Sequence, residues 1–240
     1  MDLETILSNP ALTGEGRHPL PSVESFITSL HNIGLDPNRP IVAYDDAGGA
    51  IASRLWWMAS QLGLQAAVLD GGIQNWIGDL ETGHQPPIPN QSVVSVDPYG
   101  FEQGIISLVD LIDRLHDGDL HLLDARSRSR YLGEPSPYDP RSGHIPGAKS
   151  LPSSSLLTSH GSIVSPQEVQ LIFTEVIGND FLGLDTHVVA SCGSGVTACH
   201  LILISQHMLD IRPLLYVGSF SQWSRRSELN VILGAEPGHL

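Results

Sequence analysis

Positive charge is scarce in this chain of 240 residues. Its one lysine, Lys149, and its arginines total 12 against 26 carboxylates, a formal net charge of −14. That balance argues against a nucleic-acid surface, which needs clustered cations to neutralise phosphates. Cysteine is scarcer still, with Cys192 and Cys199 alone. Two cysteines so close in sequence make no disulfide framework, which fits a reducing compartment, so the chain is read as cytoplasmic. No apolar run approaches the ~18 residues of a membrane span, and "MDLETILSNP" has no basic stretch ahead of an apolar one. No membrane association and no secretory leader are therefore expected. The 11 histidines are scattered without paired ligand spacing, so neither a metal nor a cofactor is expected. What remains is an ordinary globular composition, 41% apolar with 24 glycines and 17 prolines, long enough for one large or two small domains.

The chain contains a diverged repeat. "IVAYDDAGGAIASRLWWMASQLGLQAAVLDGGIQNW" (41–76) aligns without a gap on "VVASCGSGVTACHLILISQHMLDIRPLLYVGSFSQW" (188–223), at a constant offset of 147. Val42, Gly48, Leu62, Gly71 and Trp76 meet Val189, Gly195, Leu209, Gly218 and Trp223. Each copy reads as a short apolar strand, a small-residue loop, an apolar helix, a second strand, then a turn and a tryptophan. A strand-helix-strand unit implies parallel strands and an α/β sheet. A helix start precedes each copy, in "PLPSVESFITSLHNIG" and in "SPQEVQLIFTEVIG", the latter with Ser165 as N-cap and Pro166 at the first helical position. The second half adds, upstream, the helix and strand of "SLVDLIDRLHDGDLHLLDARSRSRYLG". The first half has no counterpart of that portion, so a first domain truncated at its N-terminus, and of reduced stability, is expected.

The loop "CGSGVTA" (192–198) carries the candidate chemistry. A buried strand delivers Cys192 to the carboxyl edge of a parallel sheet, where α/β folds place their sites. Gly193 and Gly195 allow positive φ and close approach, so successive amides converge, and the following helix aims its positive end at the same point. A sulfur held there is stabilised as a thiolate, with Ser194 and Thr197 as further donors. A cysteine phosphatase needs an arginine six residues on, where Ala198 stands. A redox dithiol needs a cysteine at Gly195. A dinucleotide fingerprint, G-x-G-x-x-A from Gly193 to Ala198, stays open on pattern alone, although only one more strand follows it. A small buried cysteine with no chemistry is the bland alternative, and it is the reading adopted for Cys199 within the apolar helix.

These segments resemble the tandem-domain rhodanese sulfurtransferases, and among them the 3-mercaptopyruvate sulfurtransferases. The resemblance rests on "CGSGVTA", on "LLDARSRSRYLG" with "SGHIPGA", and on "YDDAGGAIASRLWWM" with "VLDGGIQNW", where Asp45 occupies the nucleophile's position. It implies an α/β fold of two rhodanese-like domains, each a parallel sheet flanked by helices. The expected layout is a non-catalytic domain over 1–84, a linker over 85–98 and a catalytic domain over 99–240. The resemblance further implies that Cys192 takes sulfur from 3-mercaptopyruvate as a persulfide and releases pyruvate. A thiol acceptor, such as thioredoxin or a small thiol, or cyanide, then removes the sulfur. Ser194 is implied in proton movement, and Gly193, Gly195, Val196 and Thr197 as amide donors around the persulfide. Arg130 is implied as the ligand of the donor's carboxylate. A second arginine is expected in "EPSPYDPRSGH", where Tyr138 stands in its place, so Arg141 is the candidate substitute. Asp124 and Arg126 are expected to form a structural ion pair, and His144 to order a turn. Thiosulfate transfer and a non-catalytic binding module remain as alternatives.

Overall fold

The computed structural model describes residues 1–36, 39–81, 83, 88–89, 96, 99–179 and 187–240. The expected linker at 85–98 lies almost entirely outside the described residues. In the first half, helix α1 (Val23–Asn32) starts at Ser22, whose side chain accepts from the Ser25 amide, the usual remedy for an orphan N–H at a helix start. Strand β1 (Ile41–Ala43), helix α2 (Ala52–Gln61) and strand β2 (Ala66–Val68) follow, and β1 pairs with β2 in parallel. A helix between two neighbouring strands leaves them no other direction.

The second half repeats that unit and extends it. Its elements are α3 (Leu108–Asp117), β3 (His121–Asp124), α4 (Arg128–Leu132), β4 (Lys149–Ser150), α5 (Pro166–Ile177), β5 (Val188–Ser191), α6 (Thr197–Leu209), β6 (Leu214–Leu215) and α7 (Ser219–Trp223). The strands form one parallel sheet in the order β4-β3-β5-β6. Ser165 and Glu168 close a reciprocal capping box ahead of α5, with Pro166 in the first turn. The offset of 147 carries β1 onto β5, α2 onto α6 and β2 onto β6, so the repeat read from the sequence is a structural one.

One apolar cluster crosses both halves. Phe26, Trp56, Trp57 and Met58 from the first join Ala190, Ala198, Leu201 and Ile204 from the second, and α2 packs on α6. This explains why α6 is largely apolar and buried, and it places Trp56 and Trp57 in the shared core. A second cluster covers the opposite face of the larger sheet, built from Leu111, Leu122, Tyr131, Val189, Tyr216, Phe220 and Trp223. Strand β5 is thereby buried on both faces, as a central parallel strand requires. Among the described residues no helix is long and apolar enough to cross a membrane.

Candidate active site

The segment between β5 and α6 carries Cys192 at the carboxyl end of a central strand. Its backbone is held from below by the start of α7. The Cys192 amide donates to Ser219 Oγ at 3.0 Å, and the Cys192 and Gly193 carbonyls accept from the Phe220 and Ser221 amides. Ser219 is itself locked, fully buried with its hydroxyl on the Tyr216 carbonyl and its φ at +49. A serine kept in that region marks backbone strain beside Cys192. Gly195 is a position only glycine can fill, since its φ is +78 and a β-carbon would meet the Val217 carbonyl at 2.5 Å. Of the two loop glycines that allow positive φ, Gly193 does not use it. A β-carbon there would stand 3.4 Å from Arg17 Nη2.

The sulfur sits 2% exposed and accepts from the Gly195 amide at 3.1 Å. Helix α6 starts without a side-chain cap, so its first amides remain directed at the loop. The corresponding loop of the first half shows what such a geometry does. There Asp45 accepts from the amides of Ala47 and Gly49 through Oδ1 and of Ile51 and Ala52 through Oδ2, all at 2.7–2.9 Å. Burial alone would raise the Asp45 pKa, but the four amides outweigh it and hold the carboxyl below its ordinary value. The same turn therefore cradles an anion in one half and presents a sulfur in the other. Cys199 lies fully buried in α6, and burial pushes its thiol up to about 12, which suits a packing residue.

Three site residues come from the segment before α1, and sequence reasoning missed all of them. Ser194 Oγ meets His18 Nδ1 at 2.8 Å, and His18 Nε2 meets Glu4 Oε1 at 2.9 Å. With Glu4 accepting at Nε2, the partners assign the proton to that nitrogen and leave Nδ1 to accept from the serine. Burial lowers the His18 pKa, and Glu4 only partly opposes it, so the ring is neutral at physiological pH. Arg17 lies beside Gly193, its amide on Ser221 Oγ. Gly16 lets the segment dock, since a β-carbon would stand 2.5 Å from the Gly218 carbonyl. Arg54 of α2 ties segment and loop together. Fully buried, it donates to the carbonyls of Leu7, His18 and Gly195, and among the described residues no carboxylate lies within ion-pair distance of it.

The remaining predicted residues divide. Arg130 Nη2 pairs with Asp139 Oδ2 at 2.6 Å. Arg141 is the clear correction, because Nε, Nη1 and Nη2 make four bonds to the carbonyls of Ser224, Leu229, Trp223 and Arg226. Those bonds leave it one N–H and fasten the chain after α7, so it is a structural clamp and not the substitute donor ligand. Val196 is 6% exposed and Thr197 half-buried at the helix start. Asp124 and Arg126 form the expected buried ion pair, the guanidinium also lying 4.1 Å over the Phe220 ring. His144 orders its turn as expected, stacked on Tyr131 with both ring nitrogens on backbone carbonyls.

Known proteins share this fold. A 3-mercaptopyruvate sulfurtransferase of Leishmania major superposes with a TM-score of 0.79 at 34% identity, over 93% of this chain and 62% of its own. The chain thus spans about three fifths of that structure. A probable 3-mercaptopyruvate sulfurtransferase of Pseudomonas aeruginosa is 36% identical over 92% of this chain and 78% of its own length. A putative thiosulfate sulfurtransferase of Mycobacterium tuberculosis is 34% identical over 93% and 78%. The rhodanese-like domain family matches residues 10–79 and 107–226. Those two matches take in both copies of the repeat, the carboxylate-filled loop as well as the cysteine loop, and so the chain belongs to the rhodanese family.

Proposed function

We propose that this chain is a sulfurtransferase that moves sulfur from 3-mercaptopyruvate to a thiol through a persulfide on Cys192. The observation that carries the reading is the placement of Cys192 Sγ, which accepts from the Gly195 amide in a turn whose copy in the first half holds the Asp45 carboxylate on backbone amides. The Cys192 thiolate attacks the donor sulfur and forms an S–S bond. The S–C bond breaks, and its electron pair leaves on the three-carbon fragment as the enolate of pyruvate. The donor's thiol proton ends on that carbon, which leaves pyruvate and a persulfide anion. An acceptor thiolate then attacks the outer sulfur, carries it away as a new persulfide and restores Cys192.

The loop amides stabilise the anionic sulfur in both steps, as preorganised dipoles that need no reorientation. Ser194, hydrogen-bonded to the neutral His18, is the group that passes the proton. Nucleophile-side hydroxyl, imidazole and carboxylate stand in the order that relays a proton in hydrolases. Glu4 is largely exposed, so its hold on the imidazole is weakened by solvent. Arg130 binds the donor's carboxylate. The acceptor is a thiol, thioredoxin or a small thiol, in the cytoplasm.

Transfer from thiosulfate is the second reading, favoured by the Mycobacterium tuberculosis relative's name. The neutral Gly193 and Ser194 oppose it, because a dianionic donor calls for added positive charge next to the nucleophile. Assaying pyruvate from 3-mercaptopyruvate in parallel with sulfur transfer from thiosulfate decides. Turnover with the first donor at much higher kcat/KM is expected. Preference for thiosulfate selects the second reading, and silence with both leaves a binding module.

A further inference from the structure

The donor's carboxylate needs a cation with charge to spare, and Arg130 has spent most of its own. Its Nη2 lies 2.6 Å from Asp139 Oδ2, and the Asp139 side chain is only 1% exposed, so that pairing is poorly screened by water. A second guanidinium reaches the same carboxylate. Arg17 Nη1 stands 3.4 Å from Asp139 Oδ1 and 3.4 Å from the Tyr138 carbonyl, while its guanidinium carbon lies 4.9 Å from the centre of the Tyr138 ring. Two arginines, 27% and 25% exposed, thus flank one buried carboxylate. The three charges sum to a single positive one.

The position of that surplus matters. A β-carbon at Gly193, the residue next to the nucleophile, would be 3.4 Å from Arg17 Nη2. Among the described residues no hydrogen-bond acceptor takes Arg17 Nε or Nη2, or Arg130 Nε or Nη1. Spare N–H groups on a half-open rim can fork a carboxylate in the bidentate geometry that guanidinium favours. A donor of three carbons holds its carboxylate roughly 4–5 Å from its sulfur, and Arg17 stands beside Gly193, the chain neighbour of Cys192.

We propose that Arg17, carried by the segment ahead of α1, is the second donor-binding arginine, and that Asp139 between Arg17 and Arg130 sets the socket to one negative charge. The proposal rests on the sulfurtransferase reading and names the determinant of donor choice within it. The first half, otherwise without a nucleophile, then contributes directly to substrate binding. Arg17 does so in place of Arg141, which the fold uses elsewhere.

Steady-state kinetics on the full chain test this. Wild-type turnover of 3-mercaptopyruvate comes first, because its absence sinks the functional reading and not the arginine assignment. Given turnover, Arg17→Gln should raise KM for 3-mercaptopyruvate at least tenfold with kcat within about threefold, and Arg17→Lys should recover only part of the loss. Placing an arginine at the neighbouring position, in the double variant R17Q/Y138R, should restore most of the affinity, an effect that a merely structural role for Arg17 would not produce. Asp139→Asn raises the socket's charge and should shift the kcat/KM ratio toward thiosulfate at least fivefold. Unchanged KM in Arg17→Gln, or an unmoved donor ratio in Asp139→Asn, would overturn the proposal. Should Arg17→Gln fail to fold, the Asp139→Asn ratio and the KM of Arg17→Lys still decide.

Discussion

Val42 and Val189 occupy the same place in the two copies of the repeat, yet Val42 is 59% exposed and Val189 fully buried. Trp76 and Trp223 differ in the same way, 51% against 0%. The difference is one of neighbours. In the second half β3 flanks β5, and Leu111 of α3 and Tyr131 of α4 roof the face on which Val189 and Trp223 lie. Among the described residues β1 pairs with β2 alone. An identical local fold is thus a core strand in one setting and a half-open ribbon in the other, because burial belongs to the assembly and not to the strand. The loops diverge likewise, one satisfied by its own carboxylate and one holding a sulfur for chemistry.

That contrast can be broken most sharply at the loops. Cys192→Ser should cut sulfur transfer by more than ~10³-fold. Asp45→Ser should leave turnover largely intact and lower stability by about 1 kcal/mol, the cost of unpairing amides that are at most partly buried. Cys199→Ser should barely alter turnover; loss there instead of at Cys192 would reassign the nucleophile. The tryptophans come next. Trp223→Ala should cost about 3–5 kcal/mol in denaturant unfolding, and Trp76→Ala less than about 1 kcal/mol. Equal losses would mean that the two faces are covered alike.

Acid should expose the seam between halves. Burial lowers the His200 pKa to about 4, although Asp45 and Asp70 pull the other way. A folded-state value below the unfolded 6.5 means that the unfolded chain binds the proton first. Stability is therefore full above pH ~6.5 and falls as pH drops toward 4, by about 3 kcal/mol in all. His18 and His121, also depressed by burial, act in the same direction. His200→Gln should flatten that fall in melts between pH 4 and 7. In the relay, His18→Asn should lower kcat about 10²-fold with KM little changed, and an unchanged kcat would remove the imidazole from proton transfer. The smallest effects separate the two valines. Val189→Thr should cost roughly 1–3 kcal/mol for a buried hydroxyl, and Val42→Thr within about 0.5 kcal/mol.

Much of this was legible without coordinates where the signal was local. Ser165, Pro166 and Glu168 mark a helix start through contacts three residues apart, and the offset of 147 located both strand-helix-strand units. Cys192 could be singled out because a strand, glycines and a helix N-terminus adjoin it in the chain. Ser194 was found by the same proximity, but its partner was not. His18 is 176 residues away and Glu4 fourteen beyond that, and no periodicity or spacing joins such groups.

Sequence alone therefore determined which stretches become strands and helices, and which cysteine stands at a strand end before a helix N-terminus, since those follow from short-range propensity and hydrogen-bond chemistry. Tertiary structure alone decided which cations stand beside the cysteine loop. Arg141 and Arg17 are chemically equivalent as residues, and only packing aims one at backbone carbonyls and the other at the rim beside Cys192. A guanidinium's role is set by what it faces, and that is a property of the folded surface rather than of the side chain.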